Sequence, residues 1–267
     1  MPLIEIPLIG LGTLENKDPS KTPASIAKAI ELGYQHIDTA QLYFNEEIVG
    51  KGIQQSGISR DEIFLATKVS PVFLQPDDVK RTTRESIDKL GVEYLDLLYI
   101  HWPAETYEPQ STLDAFNEVL EEGLTKHIAV SNFTPPLLDE ASAISKAPLI
   151  ANQVEMHPLL RQNEMLEYVK KHDIYLVAYS PLAQGQVFEI PEVQEVAERR
   201  GISEAQVSLA WLLSKDNVIA IPKATSEAHQ RANLEAAEIK LAPDDIKLID
   251  SIEDEDRIMD PYFAPDW

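Results

Sequence analysis

The chain has 267 residues, an apolar fraction of 44%, no cysteine, and 45 acidic against 23 basic side chains, for a formal net charge of −22. No apolar run reaches the roughly 18 residues of a membrane span, the first residues lack the basic and apolar regions of a secretory signal, and the missing thiols exclude disulfides, thiolate metal sites and cysteine nucleophiles. So negative a surface repels nucleic acid and anionic membranes. The acids are scattered, as in Glu46-Glu47, Asp77-Asp78, Glu121-Glu122 and Asp244-Asp245, and read as a solvated coat. Ordinary acidic cytosolic chemistry and adaptation to high salt both produce such a coat. The expectation is a cytoplasmic monomer whose partner is a small molecule.

Strand-like segments fall at residues 8–11, 36–38, 63–67, 94–100, 126–130, 149–154, 174–179 and 218–221. Between them lie amphipathic stretches at 23–32, 46–55, 76–90, 112–122, 136–144, 163–172, 191–200, 204–213, 226–237 and 244–251. Thr22 reads as a cap for the first, and Gly33, Gly57, Gly91 and Gly123 as stops. Eight strands alternating with helices predict an α/β fold of the (β/α)8 (TIM) barrel type. One domain then spans 1–267, with a tail at about 255–267. An open doubly wound sheet is the other arrangement. It is disfavoured because Gly10-Leu11-Gly12 continues as Thr13-Leu14-Glu15-Asn16, without a dinucleotide-binding glycine pattern. A barrel puts its chemistry at the C-terminal ends of the strands, where Asp38, Lys68, His101, Ser131, Asn132, Gln153, Ser180 and Lys223 fall.

Asp38, Tyr43, Lys68 and His101 form the strongest constellation. A free phenol ionises near pH ~10, too high for an efficient acid at neutral pH. The Lys68 ammonium lowers that value, and Asp38 keeps a buried lysine charged. His101 can hydrogen-bond and orient a carbonyl oxygen. Tyr43 then donates a proton to that oxygen as hydride reaches carbon. None of these groups supplies hydride, so a nicotinamide must.

At these residues the chain resembles the aldo-keto reductases, most of all the shorter prokaryotic members. The resemblance runs from about Ile9 to about Asn233. It rests on Gly10-Leu11-Gly12-Thr13, Asp38-Thr39-Ala40 with Tyr43 and Asn45-Glu46, Thr67-Lys68, and His101-Trp102-Pro103. It continues through Val130-Ser131-Asn132-Phe133, Asn152-Gln153, His157-Pro158, Tyr179-Ser180-Pro181-Leu182 and Ile221-Pro222-Lys223. It implies a (β/α)8 barrel, no metal, and NADP extended across the barrel mouth. Tyr43 is then the acid, tuned by Lys68 and Asp38, with His101 orienting a small aldehyde or ketone. Ser131, Asn132 and Gln153 match the residues that bind the nicotinamide carboxamide, and Tyr179 matches the aromatic under its ring. Ser180, Leu182 and Gln184 belong to the loop near the pyrophosphate.

Departures cluster at the edges of the pattern. In the adenosine pocket Lys223 and Asn233 match, but Ala224 stands where the family usually has serine. His229 replaces the arginine that helps hold the 2′-phosphate, and Ala232 a glutamate. Thr225, Ser226 and Arg231 are candidates to compensate. The expectation is that NADP is preferred with weakened discrimination against NAD. On the substrate side, Leu14 replaces an aromatic, Ser70 a tryptophan and Phe44 a glycine, while Trp102 is kept. The pocket is expected to be crowded near Phe44, with Tyr262, Phe263 and Trp267 folding back as a lid. The hairpin that plugs the barrel in the family is expected to be short or missing. Two other readings remain at this point. One is a catalytically silent, cofactor-sensing regulatory subunit. The other is a metal-dependent barrel hydrolase using His36, Asp38, His101 and His157.

Overall fold

The computed structural model describes residues 4–104 and 106–267. Eight strands alternate with helices in the order β1 (Gly10–Gly12), α1 (Thr22–Leu32), β2 (His36–Asp38), α2 (Glu46–Ser56), β3 (Phe64–Val69), α3 (Pro76–Leu90), β4 (Leu95–Ile100) and α4 (Pro109–Glu121). There follow β5 (Thr125–Ser131), α5 (Pro135–Ile144), β6 (Leu149–Glu155), α6 (Asn163–His172), β7 (Tyr175–Tyr179), α7 (Pro191–Arg200), α8 (Glu204–Leu213), β8 (Val218–Ala220), α9 (Glu227–Glu235) and α10 (Pro243–Asp250). Neighbouring strands pair in parallel, in sequence order. The ring closes where Ile9 bridges Ala220 and the Ala220 N–H donates to the Leu8 carbonyl at 3.0 Å. The expected (β/α)8 barrel is therefore the fold, and the open doubly wound sheet is not.

Strands buried on both faces explain the short, nearly continuous apolar runs. Within β4, Leu97 and Tyr99 face the lumen, in one cluster with Ala66, Ala129, Ala151, Val177 and Ile219. Leu98 and Ile100 face outward, into the larger cluster under the helices. The same alternation carries Lys68 onto the lumen side above Ala66, and His101 above Tyr99.

The helix boundaries differ from expectation in small, explicable ways. α4 starts at Pro109 rather than 112, because proline at a first helical position loses no intrahelical bond. Thr22 lies inside α1 instead of capping it, and Lys21 holds the cap position without a side-chain bond. The end of α9 tightens into a 3-10 turn at Ala236–Glu238. Before β1, Ile6 inserts into the lumen cluster and the Tyr175 hydroxyl donates to the Ile4 carbonyl at 2.9 Å, so a short stretch serves as the plug.

The acidic coat needs a correction. Glu46 and Asp245 are buried, not solvated. Glu46 accepts a hydrogen bond from the Thr67 hydroxyl at 2.7 Å. Asp245 is paired with Arg199 and Arg200. Helical spacing explains both: Glu46 shares a face with Val49, Gly50 and Ile53, and Asp245 with Ile249.

His36 lies at the closing seam, edge-on to Phe64 at 5.2 Å. A β-carbon on Gly10 would stand 2.6 Å from its Nδ1 and 2.9 Å from Ile221, so the seam demands glycine there. Burial pushes the imidazole down to about 4, against the opposing charge of Asp38. Unfolded, the ring titrates near pH ~6.5, so between the two values only the unfolded chain binds this proton. Stability is therefore lost as pH falls from the unfolded toward the folded pKa. The expected loss from this group is at most about 3 kcal/mol, at 1.36 kcal/mol per unit of difference. Urea melts at about pH 7.5 and about pH 4.5 should show it, and His36→Leu should flatten the difference.

Candidate active site

Asp38 closes β2 and Lys68 lies near the end of β3, both inside the barrel. Their side chains are 1% and 0% exposed, and Lys68 Nζ stands 2.5 Å from Asp38 Oδ1. The ammonium also donates to the Thr39 carbonyl at 2.8 Å. The second carboxylate oxygen of Asp38 accepts from Gln153 Nε2 at 2.8 Å. Such a pair offsets two desolvation costs only when its remaining valences find partners, and here the Thr39 carbonyl takes a second ammonium N–H and the Gln153 amide the second carboxylate oxygen.

Tyr43 comes from the short 3-10 turn Gln41–Tyr43 that follows β2. Its ring centroid is 5.2 Å from Lys68 Nζ and 5.7 Å, edge-on, from the His101 ring. The four residues thus meet at the C-terminal mouth. Burial, and after it the Asp38 charge, push the Tyr43 hydroxyl well above its ordinary value. The net direction is opposite to the one expected from Lys68 alone: burial and Asp38 outweigh the ammonium, and the phenol keeps its proton, the form a donor needs. Burial pushes Lys68 down while Asp38 opposes the shift. Burial, reinforced by Lys68, holds His101 neutral, and its Nδ1 is buried without a partner. A neutral imidazole can donate one hydrogen bond to a carbonyl oxygen.

Beyond His101 the rim is a connected polar ring. Asn132, held at a left-handed φ of 64°, donates from Nδ2 to the His101 carbonyl and to Ser131 Oγ, each at 3.0 Å. Ser131 donates to the Gln153 carbonyl at 2.8 Å, and the Tyr179 hydroxyl donates to Asn132 Oδ1 at 2.9 Å. Two amides and a hydroxyl supply the mixed donors and acceptors that a nicotinamide carboxamide requires. After β7, Ser180, Ala183, Gln184 and Gly185 all adopt positive φ around Leu182. At the far end of the mouth, Lys223, Thr225 and His229 are exposed around the start of α9, where Ser226 accepts from the His229 N–H. Ala224 is buried. Asn233 is also buried.

The substrate side is arranged differently from expectation. Phe44 is 83% exposed at a left-handed φ of 55°, so its ring stands largely in solvent. That backbone is one that glycine adopts without strain. Ser70 is buried, its N–H donating to Gln41 Oε1 at 3.0 Å, while Leu14 stays at the exposed rim. Trp102 is buried against Phe263 and Trp267, edge-on at 5.6 and 6.3 Å. Tyr262 projects outward.

Sequence reading missed Tyr99, Glu46 and Glu155. Lys68 Nζ lies 5.7 Å from the Tyr99 ring, and Glu46 adds negative charge near Lys68. Tyr99 stands two residues before His101 and Glu155 two after Gln153, so strand alternation would have found them.

This site and barrel define a class, the carbonyl-reducing oxidoreductases that use a nicotinamide cofactor. The Aldo/keto reductase family profile matches residues 8–254. Methylglyoxal reductase DkgB of Escherichia coli O157:H7 is 37% identical over 266 residues, covering 98% of this chain and 99% of that protein. Glyoxal reductase of Bacillus subtilis is 35% identical, covering 96% and 92%. The solved structure of a putative 2,5-diketo-D-gluconic acid reductase B superposes with a TM-score of 0.94 at 35% identity, over 98% of this chain and 94% of that one. Aldose reductase from Giardia lamblia superposes with a TM-score of 0.91 at 29% identity, over 96% and 95%. The chain belongs to the Aldo/keto reductase family and reduces carbonyl groups. The hydrolase and the silent regulatory subunit find no support in these comparisons.

Removing one member of the buried pair leaves an unpaired charge or orphaned hydrogen-bonding groups. Lys68→Met is expected to cost about 3–5 kcal/mol of unfolding free energy, and adding Asp38→Asn to recover part of that. A urea double-mutant cycle measures the coupling.

Proposed function

We propose that this enzyme reduces small aldehydes and ketones, 2-oxoaldehydes among them, with NADPH as preferred donor and Tyr43 as proton donor. The observation that carries this reading is the buried Asp38–Lys68 pair beside a protonated Tyr43 and a neutral His101. The names of the methylglyoxal and glyoxal reductases support the substrate class. The bound nicotinamide supplies hydride to the carbonyl carbon. His101 holds the carbonyl oxygen, and Tyr43 transfers its proton to that oxygen as negative charge develops there. Lys68 stabilises the phenolate left behind, and Asp38 holds Lys68 in place. Ser131, Asn132 and Gln153 would hold the carboxamide, Tyr179 would back the ring, and Ser180, Leu182 and Gln184 would face the pyrophosphate. Trp102, Leu14 and Ser70 bound the substrate side.

The NADP preference rests on the exposed Lys223, Thr225 and His229 at the start of α9, where a helix N-terminus and a lysine favour a 2′-phosphate. Ala224, Asn233 and the backbone between them form the rest of this end. We further read the chain as one catalytic domain, monomeric and cytoplasmic, with a net charge of −22 suited to a salty solvent.

Tyr43→Phe should lower turnover of methylglyoxal and of an aromatic aldehyde by about 10²–10⁴-fold while leaving NADPH binding intact. Rates and cofactor titrations on the same preparation check this, and full turnover by the variant would refute Tyr43 as the acid. Lys223→Ala should weaken NADPH about tenfold or more with little effect on NADH, and His229→Arg should widen the gap between the two. Fluorescence titration with both cofactors reads the ratio.

A further inference from the structure

Asn45 and Glu46 stand at the start of α2, and both side chains are turned into the protein. An asparagine at that position ordinarily caps the helix, and an acid in the first turn ordinarily sits in solvent near the positive end of the helix dipole. Asn45 makes no side-chain cap bond, and the two residues are only 1% and 3% exposed. The chemistry of Tyr43, Lys68, Asp38 and His101 uses neither of them directly.

The Asn45 amide is committed to the loops beside the buried ion pair. Its Oδ1 accepts from the Thr39 hydroxyl at 2.9 Å, and its Nδ2 donates to the Thr13 carbonyl at 2.8 Å and the Asn16 carbonyl at 3.3 Å. Thr39 supplies the carbonyl that takes a second N–H of Lys68 at 2.8 Å. Thr13 donates twice to the Asp38 carbonyl, from its N–H at 3.1 Å and from its hydroxyl at 2.9 Å. Both residues that hold the ammonium are thus tied to one side chain, Thr39 directly and the backbone of Asp38 through Thr13. Glu46 adds a tie to β3. It accepts from the hydroxyl of Thr67, the neighbour of Lys68, at 2.7 Å, and Lys89 stands 3.9 Å from its other oxygen. Gln41, the first residue of the turn that carries Tyr43, donates to Ser86 Oγ at 3.1 Å and accepts from the Ser70 N–H at 3.0 Å. Tyr43 therefore lies between two anchored points, Gln41 and Asn45.

We propose that Asn45 and Glu46 are positioning residues for the proton transfer, a clamp that fixes Asp38, Thr39 and Lys68 relative to Tyr43. The proposal rests on the reductase reading of the same site. The ammonium stabilises a phenolate only when it lies where the charge develops. An error of about 1 Å in its aim therefore acts on the transition state and leaves cofactor binding alone.

Thr39→Val and Thr67→Val each remove one clamp hydroxyl, Thr39→Ser and Thr67→Ser keep it, and Asn45→Ala removes the amide. For each variant the test measures kcat and KM with methylglyoxal, the Kd of NADPH by fluorescence, and the solvent deuterium isotope effect on kcat. The valine variants are expected to lose about three- to tenfold in kcat and Asn45→Ala more than about tenfold, with the serine variants above the valine ones and NADPH binding within about twofold of wild type. The solvent isotope effect should rise, because proton transfer becomes a larger part of the barrier. Unchanged kcat with a lower Tm overturns the proposal and makes the two residues supports of the fold. Equal losses of kcat and NADPH affinity, with an unchanged isotope effect, also overturn it and mean a general loosening of the mouth. Where Asn45→Ala does not fold, the valine variants decide. Failure of the wild type to reduce either methylglyoxal or an aromatic aldehyde would fault the reductase reading itself.

Discussion

A single buried ion pair organises the mouth of this barrel. Lys68 and Asp38 are removed from water in a lumen otherwise filled by Ala66, Leu97, Tyr99, Ala129 and Val177. Two charges in that setting need further partners. Gln153 takes the second carboxylate oxygen and the Thr39 carbonyl a second ammonium N–H. Gln153 lies on β6 and Asp38 on β2, so the demand for satisfaction couples opposite sides of the ring. The neutrality of His101 and the protonated Tyr43 follow from the same enclosure, since burial is the leading cause of both shifts.

The polar ring at the rim extends this logic. Asn132 bonds the end of β4 through the His101 carbonyl and β7 through Tyr179. Its left-handed backbone is accepted because its N–H is held by the Gln153 carbonyl at 2.9 Å. A site assembled from strand ends is rigid because each strand is fixed by its neighbours, whereas the segments that shape the substrate side are a turn, a loop and a tail. That division suits a fold whose chemistry is constant and whose substrates vary.

Much of this was readable in the sequence because parallel strands advertise themselves. Strand-like runs of three to seven residues between helices, several of them stopped by glycine, suffice for the barrel, and polar residues at the run ends suffice for Asp38, Lys68, His101 and Gln153. What escaped was position across a helix or strand face. Glu46 and Asp245 look like surface acids until helical spacing puts them beside buried neighbours. Phe44 looks like a wall because its side chain is large, and only the backbone angle turns it outward. The electrostatics of Tyr43 escaped for another reason. A charged lysine nearby suggests a lowered pKa, but the sign depends on how much water is lost and on where the counter-ion lies.

The seam of the barrel has a consequence for how the molecule comes into being. Ile9 meets Ala220, Ser25 donates to the Thr225 carbonyl, and Tyr34 to the Gln230 carbonyl. Nothing can cover the open edge of β1 until more than 200 further residues have been made. A nascent chain on the ribosome therefore carries an unpaired sheet edge through most of its synthesis, the condition under which strands recruit strangers. Gly10 and Gly12 let the edges meet without side chains in the way, and the Gly12 N–H reaches the Pro222 carbonyl at 3.1 Å. The final zipper of the ring thus brings together the opening turn and the segment around Lys223, so that completion of the scaffold and completion of the proposed cofactor site are one event.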